Sequence, residues 1–317
     1  MSISSGALVF AVAAGLGADA STGAQASDAF VESAAWDVWR LVAATASVLF
    51  LALLLTAVHV LRNANEWGVT GSELKLWPHL AFGILGTAVL ILGRIVVGGG
   101  TPELPVKALE VRVGAVLTTS LLAGIPWVVL VWLAHETCHL LQQRIEELPS
   151  IPPVLESSSK SRSKDMKPSR RDVIEQLLRL WRLIELCVGA FALGVVAAIV
   201  TASLLRAAFL EAYPARDDEF PTVNVIYYGV LFAAIASLVN LPLIVVWRRS
   251  ARTMVDHTFP LPPDGQPTEE WVAARTRLEA LLHLDVSLLR NPLTAFTILS
   301  PLLTSALGAF VPLVGEA

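Results

Sequence analysis

The apolar residues of this chain are gathered into long continuous runs. A membrane-spanning helix needs about 20 mostly apolar residues, because each residue rises about 1.5 Å across a hydrocarbon core of about 30 Å. Six runs meet this length, at 41–61, 79–97, 113–134, 184–205, 225–247 and 292–314. Lipid offers backbone groups no partners, and the runs do not alternate as barrel strands do, so each run is predicted to be helical. The last run contains Pro301 and Pro312, and it is predicted either to span the membrane or to form a re-entrant segment.

Composition leads to the same class of protein. The chain has 317 residues, of which 55% are hydrophobic and 16% charged, with a mean hydropathy of +0.64. Soluble domains carry about 25% charged residues. These values exclude an ordinary soluble enzyme, a disulfide-rich secreted domain and a disordered chain, and no nucleic-acid partner is predicted. The sequence predicts an all-α, multi-pass membrane protein: a bundle of about six transmembrane helices with amphipathic cytoplasmic helices.

The basic residues predict how the chain is threaded. Of the 23 Lys and Arg residues, 17 lie in the loops after spans 1, 3 and 5, and 4 lie in the other loops. Cytoplasmic loops carry the excess of Lys and Arg, so both termini are expected outside and loops 1, 3 and 5 in the cytoplasm of a plasma (inner) membrane protein. Trp36, Trp39, Trp181 and Trp247 fall near the ends of spans and are expected at the membrane interface.

Six segments follow from this threading. They are an external arm at 1–35, spans 1–3 at 36–134, a cytoplasmic loop at 135–183, spans 4–5 at 184–247, a second cytoplasmic loop at 248–291 and the C-terminal segment at 292–317. Residues 1–20 are predicted either as a cleaved signal peptide, with Ala18-Asp19-Ala20 as the cleavage site, or as part of a short external helix.

The first large loop, 135–183, has three predicted parts. Span 3 continues as a helix to about Glu147, 157–167 is too polar to order itself, and 172–183 has the apolar spacing of an interfacial helix that leads into span 4. A basic cluster in this loop is expected either to bind anionic lipid headgroups or only to enforce the topology. It consists of Lys160, Arg162, Lys164, Lys167, Arg170 and Arg171.

The second large loop, 248–291, contains a predicted amphipathic helix. Thr268 is its expected N-cap, and Glu269 and Glu270 in the first turn suit the helix dipole. An apolar stripe follows, which must pack on the membrane surface, on the helices of the first loop or on a partner protein. The stripe comprises Trp271, Ala274, Leu278 and Leu281 or Leu282.

The most specific motif is the sequence HETCH at 135–139, at the end of span 3. Helical spacing places His135 and His139 on one face, where two imidazoles chelate Zn²⁺ and Glu136 can activate a bound water. The motif resembles that of integral-membrane zinc metallopeptidases, and the resemblance implies His135 and His139 as ligands and Glu136 as general base. A third ligand would come from Asp256, His257, His283 or Asp285.

Inside the spans, ionisable groups are sparse, which weighs against charge-driven transport. The polar candidates for a pathway are Asn240, Thr297, Ser300 and Thr304. Three functions therefore remain open. They are a non-enzymatic regulatory, scaffold or transport-associated membrane component acting through its two large loops, a zinc metallopeptidase, and a channel or transporter through spans 5 and 6.

Overall fold

The computed structural model describes residues 34–69, 109–148, 169–219, 221–262, 265–284 and 303–304. Its helices are α1 (Ala34–Arg62), α2 (Leu109–Glu146), α3 (Arg170–Ala212), α4 (Thr222–Thr258) and α5 (Glu269–Leu281). Short 3₁₀ turns at Ala64–Trp67 and Pro214–Glu219 follow α1 and α3. No strand occurs in these ranges, so the described part of the chain is all-helical.

Four segments are long and apolar enough to cross a membrane. They are Ala34–Arg62, Thr118–Glu146, Arg170–Glu211 and Phe232–Thr258. They contain the whole of the predicted spans 1 and 4 and most of spans 3 and 5, which confirms these four apolar runs as long helices. Runs 79–97 and 292–314, the N-terminal arm and 157–167 lie outside the described residues, apart from 34–35 and 303–304.

Hydrogen bonds between helices fix their relative directions. The Glu211 carboxylate of α3 accepts from the backbone N–H groups of Ala34 and Ala35, at 3.2 and 3.1 Å, and so caps the start of α1. At the other end of the same pair, the Gln176 side chain of α3 donates to the Gly68 carbonyl at 2.7 Å. Helices α1 and α3 are therefore antiparallel.

Two further bonds place α4. The Trp247 Nε1–H group of α4 donates to the Leu177 carbonyl of α3 at 3.0 Å. The Ser250 hydroxyl donates to the Cys138 carbonyl of α2 at 3.2 Å. The C-terminal ends of α1, α2 and α4 therefore lie beside the start of α3. We call this end of the bundle the α5 end. The opposite end, where the start of α1 meets the end of α3, is called the Glu211 end.

The core is densest at the α5 end. Its fully buried members include Leu130, Leu141, Leu177, Leu180 and Trp247, contributed by α2, α3 and α4. At the Glu211 end, Trp36 and Trp39 stack on each other with ring centroids 4.9 Å apart and pack against α3. Both rings fill the interface between α1 and α3, which the sequence did not predict, and their expected depth at the membrane interface stays a prediction.

The segment 172–183 also differs from its prediction as an interfacial helix. It forms the first turns of the single 43-residue helix α3, which starts at a capping box between Ser169 and Asp172. Val173, Leu177 and Trp181 of this segment are buried. The apolar side that suggested a helix lying on the membrane faces the other helices instead.

Candidate functional site at the α5 end

Helix α5 packs against the end of α4 at the α5 end of the bundle. Thr268 caps it, as predicted, by accepting a hydrogen bond from the Trp271 backbone N–H group at 3.3 Å. Leu278 packs against the main core and Leu282, just after the helix, is fully buried in it. The predicted apolar stripe therefore packs on the protein's own helices.

Arg275 clamps α5 to the end of α4. Its guanidinium donates to the Asp256 carboxylate at 2.6 Å, to the Glu279 carboxylate at 2.9 Å and to the Phe259 carbonyl at 3.4 Å. It also lies 5.4 Å from the centre of the Trp271 ring, within the range of a cation–π contact. Partial burial alone would lower the pKa of Arg275, but the bonds to the two carboxylates outweigh it and raise that pKa.

A second set of contacts fixes the chain after α5. The Trp181 ring lies between those of Trp247 and His283, with centroid distances of 4.5 and 5.5 Å. His283 takes a positive φ of 52°, a left-handed conformation that few non-glycine residues adopt. Arg248 donates to the Leu284 carbonyl at 3.3 Å. Helix α5 is therefore held at both ends.

The opposite side of α5 faces away from the bundle. From Val272 to Leu281, its exposed positions span half of the helix circumference and consist of three small residues and Arg277, bordered by two larger apolar residues. They are Val272, Ala273, Thr276, Arg277, Ala280 and Leu281, which we call the outer face of α5. This face gives the α5 end a structured surface on which another molecule can dock.

The HETCH motif lies on α2 near the same end. The rings of His135 and His139 are 4.7 Å apart in an edge-on arrangement, so the predicted pair does come together. The Glu136 carboxylate accepts from Trp132 Nε1–H at 3.1 Å. Thr137 and Cys138 are fully buried, while His135 is half-buried and His139 exposed. The histidine pair therefore lies on the outer side of α2.

Two of the third-ligand candidates are engaged elsewhere, one has a ring nitrogen without a hydrogen-bond partner, and one lies outside the described residues. Asp256 is bound to Arg275, and His283 stacks on Trp181. His257 has a buried Nδ1 atom without a hydrogen-bond partner, and Asp285 falls outside the described ranges. Within those ranges, no group of three or more His, Cys, Asp or Glu side chains is placed to hold a metal ion.

The pathway and lipid candidates are only partly visible. Asn240 is buried in α4, where its Nδ2 donates to the Ala236 carbonyl at 2.8 Å and its Oδ1 has no hydrogen-bond partner. Thr304 is half-buried, while Thr297 and Ser300 lie outside the described residues. Arg171 is paired with Glu175 at 2.9 Å. Arg170 begins α3, and Lys160, Arg162, Lys164 and Lys167 also lie outside the described ranges.

Sequence reasoning missed two features. The Arg275 clamp at this end depends on the packing of α5 against α4. The role of Glu211 as the cap of α1, at the Glu211 end, depends on a contact between helices far apart in the chain. The only local signal was the pairing of Arg275 with Glu279 at helical spacing.

No protein-family model, curated protein or solved structure matches this chain.

Proposed function

We propose that this chain is a multi-pass plasma-membrane protein with six spans, both termini outside and loops 1, 3 and 5 in the cytoplasm. Four long apolar helices support membrane insertion. The common direction of α1, α2 and α4, opposite to α3, agrees with this threading. The Lys and Arg distribution supports the cytoplasmic placement of the α5 end.

We further propose that the α5 end is a non-enzymatic platform for a partner protein, in a regulatory, scaffold or transport-associated role. The observation that carries this proposal is the clamping of α5 by Arg275 and Leu282 while its outer face stays exposed. A helix fixed before binding loses little conformational freedom when a partner docks, which favours association. Ala273, Thr276 and Ala280 allow a partner helix to approach closely, and Arg277 adds a contact for a carboxylate.

Photo-crosslinking in intact cells tests this platform. We expect a crosslinking amino acid at Thr276, on the outer face of α5, to give a discrete adduct of higher mass that contains a second protein. The same amino acid at Asp218, at the Glu211 end, is the matched exposed control and should not give this adduct. Addition of Leu282→Ala, which removes the buried anchor of α5, should abolish the adduct. No adduct at Thr276, or one unaffected by Leu282→Ala, would contradict the proposal.

A zinc metallopeptidase is the second candidate, and it rests on the 4.7 Å approach of the His135 and His139 rings. If this function is correct, the purified protein holds one zinc ion per chain. The paired change His135→Ala/His139→Ala should then reduce bound zinc by at least about tenfold, since both proposed imidazole ligands are lost. Glu136→Ala should keep the metal and stop cleavage. Metal analysis of the parent protein, the double histidine variant and Glu136→Ala checks this prediction. Absence of bound zinc from all three proteins would exclude a zinc metallopeptidase.

A further inference from the structure

An exposed stripe runs along the whole of α4 and changes polarity near its end. Positions 223, 226, 230, 234, 238, 242 and 245 are exposed and apolar, and 249, 252 and 256 are exposed and charged. The spacing of three or four residues keeps all of them on one side of the helix. The apolar part covers about 33 Å at about 1.5 Å per residue, close to the thickness of a bilayer core.

The same change occurs on the neighbouring helices. Along α1, the exposed apolar residues end at Leu55 and are followed by His59 and Arg62. Along the antiparallel α3, Leu193 is exposed and Arg182 is the first exposed charge toward the α5 end. Together these changes from apolar to charged residues mark the edge of the apolar surface. On α4 this edge lies between Val245 and Arg249.

A shallow groove of about 260 Å³ crosses this edge on α4. It is lined by Val245, Arg248, Arg249, Arg252, Thr253 and Asp256. The Asp256 carboxylate is bound to Arg275, which offsets its charge. Arg249 and Arg252 are exposed, and neither is ion-paired with an acidic residue in the ranges that the structure describes. The groove is therefore positively charged.

We infer that this groove binds the headgroup of an anionic phospholipid. The Arg249 and Arg252 guanidinium groups would hold the phosphate, since the planar guanidinium donates two parallel bonds to such an anion. Arg248, which lines the groove and is largely buried, adds positive charge. None of the residues that line this site belongs to the basic cluster predicted in the first loop.

A lipid fits the groove better than a soluble phosphate does, because its apolar wall continues along the helix. Val245 lines the groove itself, and Leu238, two turns further from the arginines, is 77% exposed on the same stripe. An acyl chain attached to the bound phosphate would cover these two residues. A free phosphate would leave them bare.

Native mass spectrometry of the full chain, purified in mild detergent, tests the inference with phosphatidylglycerol and phosphatidylcholine as probes. We expect phosphatidylglycerol to be retained preferentially. The change Arg249→Gln/Arg252→Gln should weaken its binding about 30-fold, which corresponds to about 1 kcal/mol for each arginine. The matched control Arg144→Gln/Arg182→Gln removes two exposed arginines outside the groove and should retain the preference.

Two outcomes would overturn the inference. Equal loss in both double variants would mean that the lipid responds only to overall charge. Displacement of the lipid by an equal concentration of inorganic phosphate would mean that the groove binds a soluble anion. Because all four arginines are exposed, each double variant should keep the melting temperature of the parent, and this measurement separates loss of binding from loss of folding.

Discussion

Replacing Trp247 by alanine is expected to lower the free energy of unfolding by about 3–5 kcal/mol, the cost of removing a large buried aromatic side chain. Trp247 is fully buried where α3 and α4 meet. Its ring packs against Trp181 at 4.5 Å, and its Nε1–H group donates to the Leu177 carbonyl. The substitution removes the ring, its packing contacts and the hydrogen bond together. Denaturant titration of the purified protein in detergent measures the loss.

Two further variants separate the contributions. Trp247→Phe keeps a six-membered aromatic ring and removes the part of the indole that carries the N–H donor. It should therefore cost about 1 kcal/mol, the net value of one hydrogen bond, plus a small packing loss. Trp132→Ala removes a ring that is 39% exposed and should cost less than about 1 kcal/mol. Equal destabilisation by Trp247→Ala and Trp132→Ala would contradict the described packing of α3 on α4.

Replacing Leu282 by alanine is expected to release α5 from the bundle. Leu282 is 0% exposed and packs in the main core, so the change should cost about 2–5 kcal/mol of docking energy. Cleavage of a transiently opened segment follows the population of its open form. Limited proteolysis within 259–268, the connection between α4 and α5, should therefore become at least about tenfold faster.

The neighbouring leucine provides the control. Leu281 is 51% exposed on the outer face of α5, so Leu281→Ala makes the same chemical change one residue away and should leave the cleavage rate within about twofold of the parent. If both variants were cleaved at the same rate, Leu282 would not be the anchor of α5. The proposed platform would then lose its structural basis.

The long helices were predictable because bilayer-length apolar runs have few alternative structures. The structure extends α1 beyond its apolar run, back to Ala34, while the end of α2 at Glu146 agrees with the helix predicted to continue to about Glu147. The polar ends of both helices are stabilised by capping or packing rather than by hydropathy. Glu211 provides such a cap for Ala34 and Ala35, although it lies 177 positions from Ala34 in the chain.

The direction in which a side chain points was less predictable. Trp36, Trp39, Trp181 and Trp247 occur at the ends of spans, where an amphipathic ring suits the interface. The same ring also fills a helix junction, and all four are buried. Hydropathy does not distinguish these environments. The apolar stripe of α5 could be predicted from its spacing. The surface that covers this stripe could not, because it depends on the positions of α3 and α4.

The candidate site was predictable only where it is local. Spacing along one helix brings His135 and His139 together, and the structure agrees. A third ligand and the Arg275 clamp depend on tertiary packing. The zinc site and the pathway residues remain predictions.

Cysteine labelling from the outside of intact cells tests the central claim most directly, because the platform requires the α5 end to be cytoplasmic. Both native cysteines are buried, so they should contribute little background. Asp218→Cys, at the Glu211 end, should react with a membrane-impermeant maleimide in intact cells. Thr276→Cys, on the outer face of α5, should react only after the membrane is opened. Labelling of Thr276→Cys in intact cells, with Asp218→Cys protected, would contradict the account.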